Sequence, residues 1–305
     1  MKRFLLIIIA FLVPVAAFFV ALEVLVQTIP NSYNYKYQYV KSNGKSIQAV
    51  ALGHSQLYDD FMPEVFKLPS FNLCNSSQFY KEDYYILREL LSYMPNLKLV
   101  ILPIGYVNVK ESEPNAFTER STFYHEYMNI DFDGQIPISY RYECFEPKRA
   151  FEKITSYYMH HIDIVGCDSM GRRNTHNLSD RHQSLDSANM LQLYTLKTHD
   201  QSEMMIWGES YLVEIGMLLQ SKGIQLILVS PPHYWTYLDA VNTEQKAFLQ
   251  KHIKRYHQKF TFQYVNLEDD KRFVDEDFFD DAHLTELGAE KFTKILNERI
   301  ELKNN

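Results

Sequence analysis

"AVALGHSQLYDDF", residues 49–61, is the stretch on which the reading of the chain turns. A short apolar run ends at Gly53, and His54, Ser55 and Gln56 follow before a helix-like pattern begins. A brief apolar run bounded by Gly reads as a buried strand. Gly then allows the tight turn that feeds the chain into a helix. Ser55 has two readings at that turn. Serine is a common helix N-cap, and the stretch taken alone favours that role. The other reading is a nucleophile, with the free N–H groups and positive dipole end of the helix aimed at a developing oxyanion.

The elements around this stretch predict the fold. "SIQAVALG" (46–53), "FNLCN" (71–75), "LKLVILPI" (97–104), "IQLILVS" (224–230) and "TFQYVNL" (261–267) read as buried strands. Between and after them, 80–94, 202–223, 243–260 and 284–302 carry apolar residues at helical spacing, the second ended by Gly223. This alternation predicts an α/β domain with about five mostly parallel strands. Residues 106–200 are polar and aromatic, and read as an insertion with a helix near 149–162.

The 305 residues carry a net charge of −7 and no Lys/Arg-rich block, so nothing favours a nucleic-acid partner. The first residues differ from the rest. Lys2 and Arg3 precede an uncharged run from Phe4 to Leu22, and the apolar pattern resumes after Glu23 through Val26. That length suits a bilayer span better than the shorter core of a cleaved signal peptide. The expected organisation is an uncleaved anchor at 1–30, a Tyr-rich linker at 31–45 and the α/β domain at 46–305. Lys2 and Arg3 place the N-terminus in the cytoplasm and the domain outside it. Of the three cysteines, Cys74, Cys144 and Cys167, an odd count leaves at least one unpaired.

The second informative stretch is "DEDFFDDAHLTELGAEKF" (275–292), after the last strand and before the last helix. Asp280 and His283 are three apart. In a turn, that spacing lets a carboxylate fold back on the imidazole Nδ1 and leaves Nε2 outward as a base. Asp281 is the competing acid, and the plain alternative is a solvated acidic loop with a capping His. In an open parallel sheet, ligands bind at the carboxyl ends of the strands. Both this stretch and Ser55 fall at that edge, although they are far apart in sequence.

Together the two stretches resemble the SGNH or GDSL hydrolase family. Its serine lies in a G-x-S-x block after the first strand, and its Asp-x-x-His block precedes the last helix. Gly53-His54-Ser55-Gln56 matches the first, with His where many members have Asp. Asp280-Asp281-Ala282-His283 matches the last. "FNLCNSSQ" (71–78) resembles the second block, with Ser77 in place of its second Gly. The third block usually reads G-x-N-D; here Gly105 is followed by Asn108, one place late, and the Asp is missing.

The resemblance implies a three-layer, flavodoxin-like fold and acyl transfer through an acyl-serine. Ser55 would be the nucleophile, His283 the base and Asp280 its orienting acid. Ser77, Asn75 and Asn108 would be oxyanion donors. His233, in "VSPPHYWTY" (229–237), would contact substrate. No cofactor or metal is required. The anchor points to the extracytoplasmic branch, which includes bacterial surface-glycan O-acetylation proteins and the protein that passes D-alanine to teichoic acid. It implies an esterase or an O-acyltransferase on a cell-surface glycan, with a polytopic membrane O-acyltransferase as partner. The rival is an inactive glycan-binding or scaffolding domain, which the departures at Ser77 and Asn108 favour.

Overall fold

The computed structural model describes residues 2–105, 119–162, 165–181, 185 and 209–302. The chain divides into two compact units. The larger, Tyr39–Pro114 with Cys167–Asn305, holds a five-stranded sheet. Its strands are β1 (Ala49–Ala51), β2 (Ser70–Asn72), β3 (Leu99–Pro103), β4 (Gln225–Ser230) and β5 (Gln263–Asn266). All neighbouring pairs are parallel, in the order β2-β1-β3-β4-β5. This is the doubly wound, flavodoxin-like order. A parallel sheet covered on both faces needs near-continuous apolar strands. Val50, Phe71, Ile101 and Leu228 accordingly have no exposed surface.

The helices follow from this topology. β1 is succeeded by a six-residue helix, α3 (Ser55–Asp60), and β2 by α4 (Tyr80–Leu90). α7 (Glu209–Ser221) leads into β4. α8 (Trp235–Ala240) and α9 (Thr243–Tyr256) separate β4 from β5, and α10 (Glu286–Arg299) closes the domain. The connection from β1 to β2 runs along the sheet in one direction and that from β2 to β3 in the other. Right-handed crossovers therefore put α3 and α4 on opposite faces. α3 packs with α10, and α4 with α7. The direction of winding changes between β1 and β3, where doubly wound sheets open a crevice.

The smaller unit combines Met1–Gln38 with Asn115–Gly166. Its long helix α1 (Lys2–Gln27) has a mean hydropathy of 3.1 over its most apolar window, long and apolar enough to cross a membrane. α5 (Glu119–Met128) and α6 (Pro147–Ile154) belong to the same unit. The insertion anticipated at 106–200 therefore contributes to both units, and its residues 115–166 group with the N-terminal segment.

Residues 31–45, expected as a linker, contain helix α2 (Ser32–Asn43) and a turn at Gly44–Ser46. The segment is polar on average, which hides its pattern. Tyr33, Tyr37 and Val40 recur at i, i+4 and i+7, the spacing of one helix face, and Tyr37 and Val40 are buried.

Gly53 carries the turn that ends β1. Its φ is +112°, and a Cβ there would stand 2.4 Å from Pro103 Cδ on β3. Its N–H donates to Asp83 Oδ1 at 2.9 Å. We expect Gly53→Ala to lose about 1–3 kcal/mol to backbone strain alone, with the Pro103 clash in addition. A wild-type melting temperature for this variant, measured on the full chain in detergent, would contradict the geometry.

Candidate active site

The turn at Gly53 delivers the chain into α3 with His54, not Ser55, as N-cap. The Gln56 N–H reaches His54 Nδ1 at 3.5 Å. Ser55 is thus the first helical residue, and its hydroxyl is not used to cap the helix. Asn72, at the end of β2, holds the other end of α3. Its Nδ2 donates to Leu57 O at 2.8 Å and to Phe61 O at 3.2 Å.

The Asp-x-x-His stretch forms a tight turn between the residues of an antiparallel bridge, Phe278 and Leu284. Phe279 N–H donates to His283 O at 2.9 Å. The turn folds Asp280 back on its own backbone. Oδ1 accepts from Ala282 N at 2.9 Å and from His283 N at 2.8 Å. The same carboxylate holds the imidazole, with Oδ1 and Oδ2 at 3.0 and 2.9 Å from His283 Nδ1. On the other side of the ring, His283 Nε2 lies 2.8 Å from Ser55 Oγ. Asp281 is buried, and its backbone carbonyl accepts from Tyr234 N at 3.1 Å.

Two contacts lock this turn onto α3, and a third ties α3 to His233. Leu284 N donates to Asp60 Oδ1 at 3.0 Å. Gln56 Nε2 donates to Ala282 O at 3.1 Å and lies 2.9 Å from His233 Nε2. The contact with His233 requires its Nε2 to accept, so the ring is neutral. Burial, reinforced by His283 and His54, pushes the His233 imidazole down to about 3, consistent with that role. His233 is only 4% exposed and stacks on Tyr237 at 4.1 Å. Its ring thus sits between Gln56 and Tyr237, a supporting position beside α3.

The other predicted donors divide. Ser77 is exposed and has φ +52°, a left-handed conformation that explains why a Gly would suit this position. Asn75 is buried, and its side chain donates to Gln78 Oε1 at 3.1 Å. Its backbone N–H donates to Gly53 O at 3.2 Å, which fastens this loop to the β1–α3 turn. Asn108 lies outside the described residues.

A strap along residues 167–181 adds groups that no local pattern revealed. Gly171, at φ +80°, passes so close to β2 that a Cβ would stand 2.3 Å from Asn72 O. Beyond it, Arg173 Nε donates to Asp59 Oδ1 at 2.7 Å and Nη2 to Oδ2 at 2.5 Å. His176 lies parallel to Phe279 at 4.2 Å and edge-on to His283 at 5.2 Å. Its Nδ1 is 3.5 Å from Asp59 Oδ2. The only sequence signals were two adjacent acids in a short helix, Asp59-Asp60, and two adjacent arginines in a polar loop.

The charges follow from these contacts. Burial works against the charged form of His283, but Asp280, aided by Asp59 and Asp60, outweighs it and raises the imidazole to about 9. Burial likewise opposes ionisation of Asp280, yet the His283 charge and the turn's hydrogen bonds hold it at about 2. Burial pushes Asp60 well above the usual carboxylate range. His176 is pushed down to about 4, chiefly by burial. Among the described residues, no group of three or more His, Cys, Asp or Glu side chains is placed to hold a metal ion.

A doubly wound sheet with a Ser-His-Asp hydrogen-bond chain at its carboxyl edge is thus the frame of this site. No family model matches the chain, and no curated protein matches it. Among solved structures, it is similar to a candidate acylhydrolase from Bacteroides fragilis, with 13% identity and a TM-score of 0.39, over 86% of this chain and 95% of that one. It is also similar to a GDSL-like lipase from Bacteroides thetaiotaomicron, with 15% identity and a TM-score of 0.40, over 88% of this chain and 99% of that one.

The Asp59 side chain is fully buried and Arg173 supplies its bidentate partner. Removing one member of such a pair leaves an uncompensated buried charge, at a cost of about 3–5 kcal/mol. We expect Arg173→Ala to lower the unfolding free energy by that amount, and the double variant Asp59→Asn/Arg173→Ala to recover part of it. Equal stability of the single variant and wild type would show that the strap is not held through this pair.

Proposed function

We propose that the protein is an SGNH-type serine acyl-transfer enzyme, anchored by α1, with its larger unit outside the cytoplasm. The observation that carries this reading is the chain Asp280–His283–Ser55, with both imidazole nitrogens engaged at 2.8–3.0 Å. Ser55 Oγ attacks the carbonyl carbon of an ester while its proton passes to His283 Nε2. Collapse of the tetrahedral adduct breaks the bond to the leaving oxygen, which takes that proton from Nε2. The acyl-serine is then attacked by water or by a sugar hydroxyl. His283 accepts the attacking group's proton and returns it to Ser55 Oγ.

The developing oxyanion needs preorganised donors. The Ser55 N–H, in the first turn of α3, has no intrahelical partner by helix geometry. With the Ser77 N–H it is the donor pair we assign, and the left-handed backbone at Ser77 supports it by matching the glycine of the second SGNH block. The acceptor class proposed is a cell-surface glycan, with a polytopic membrane O-acyltransferase as acyl supplier. A domain held outside the cytoplasm needs its activated acyl groups delivered across the bilayer.

Ser55→Ala and His283→Ala should each abolish hydrolysis of a small ester while leaving the unfolding midpoint near wild type, and the double variant should be little worse. Retained turnover in Ser55→Ala would exclude the covalent route. Asp280→Asn should lower kcat by on the order of 10³–10⁴-fold, and Asp281→Asn by far less; the reverse order would reassign the acid.

The pH profile has a definite sign. His283 must be neutral to accept the Ser55 proton, and its imidazole is raised to about 9. Below that value the cation dominates, so kcat/KM should climb with pH through the neutral range and level off above about 9. Removing the Asp280 charge should move the inflection downward. A profile flat from neutral pH upward would contradict the charged resting imidazole.

A further inference from the structure

In the smaller unit, the residues of 143–162 are built around the end of α1, and several large apolar side chains among them face solvent. Leu22 and Val26 of α1 are buried against Ala150 of α6, with Cys144 and Ile154 packed beside them. Glu23 accepts hydrogen bonds from the N–H groups of Glu143 and Cys144, the latter at 2.7 Å. Thr28 Oγ1 and Tyr158 OH are 2.6 Å apart. The one acid that interrupts the apolar N-terminal run thus serves as the docking point for this segment.

These contacts fix how far along α1 the segment sits. From Lys2 to Leu22 the helix rises about 30 Å, the thickness of a bilayer's hydrocarbon core. Val26 lies about 6 Å beyond Leu22, and Thr28 about 9 Å beyond. With α1 read as a span, this rise puts Cys144 and Ala150 level with the hydrocarbon edge and Tyr158 level with the headgroup layer. Next to Cys144 in sequence is Phe145, 48% exposed, and next to Ala150 is Phe151, 64% exposed. Next to Tyr158 is Met159, 71% exposed, and Ile162 is 51% exposed. Solvent-facing side chains of this size in one short segment need a cover. Lys148, whose side chain is 90% exposed, stands between the two phenylalanines in sequence. Lys with Phe on a short amphipathic helix is the composition of segments that lie in the membrane interface.

We infer that residues 143–162 form a collar seated in the outer face of the bilayer, with Phe145 and Phe151 at the acyl-chain boundary and Met159 and Ile162 among the headgroups. The occupant of this apolar surface is lipid, because the surface is continuous with the segment of α1 that reaches it. The collar turns a single-helix tether into a two-point attachment that restrains the tilt and rotation of α1. It rests on the reading of α1 as a membrane span.

The test is depth-dependent fluorescence quenching. The full chain, with Trp207 and Trp235 replaced by Phe, is reconstituted into phosphatidylcholine vesicles brominated either near the headgroup or near the chain centre. Single tryptophans are introduced as Phe11→Trp, Phe151→Trp and Met159→Trp, all at exposed positions where the fold tolerates a ring. The collar predicts that Phe151→Trp and Met159→Trp emit to the blue of a water-exposed indole and lose at least about half their intensity to the shallow bromines. Phe151→Trp should be quenched more, and Phe11→Trp should respond most to the deep bromines. If Phe11→Trp is quenched while both collar tryptophans emit as in water and are unquenched, the span stands and the collar is wrong. If Phe11→Trp is itself unquenched, the span reading falls and takes the collar with it.

Discussion

The hydrogen bond from Leu284 N to Asp60 Oδ1 is a small contact on which the site depends. Asp60 ends a helix that begins at Ser55, and Leu284 directly follows His283. Joining these points sets the distance between a nucleophile placed by the first strand and an imidazole placed after the last. The sheet alone does not do this, because β5 is an edge strand three positions away from β1. The chain must cross the carboxyl ends of the intervening strands before α10 packs beside α3. Gln56 adds a second staple through Ala282 O, and both staples lie within a few residues of the reacting groups.

Such a junction has an electrostatic consequence. Burial raises the carboxyl of Asp60, and α3 places Asp59 directly beside it beneath the site. The protein answers with partners of different kinds. Asp59 receives the guanidinium of Arg173, whereas Asp60 receives a backbone N–H and faces His283. The net field favours a cationic imidazole, which is the charge the site must stabilise when His283 holds the serine proton. The imidazole of His233 is kept neutral by burial in the same neighbourhood, so a second cation does not compete.

Much of this was legible in the sequence, for identifiable reasons. The five strands stand out because a buried parallel sheet writes itself as uninterrupted apolar runs. Ser55, Asp280 and His283 were legible because each chemistry depends on short spacing: a Gly two residues before the serine, and an acid three residues before the histidine. Helix α2 was hidden because its buried face is made of tyrosines, which read as polar. The Asp59–Arg173 pair joins residues 114 apart through a strap with no regular period, and no local pattern encodes such a contact. The contact of His233 with Gln56 joins residues 177 apart, and no local pattern encodes it either.

Every proposed role of the site follows from Ser55 being a nucleophile. The direct measurement is the intact mass of the full chain after exposure to an aryl phosphonate, which forms a stable adduct with an activated serine, followed by peptide mapping. We predict a single adduct on Ser55, formed fast in wild type, slowly in Asp280→Asn and not at all in His283→Ala. An unmodified Ser55 in the folded wild-type protein, or an adduct of equal rate in His283→Ala, would contradict the claim that His283 activates this serine.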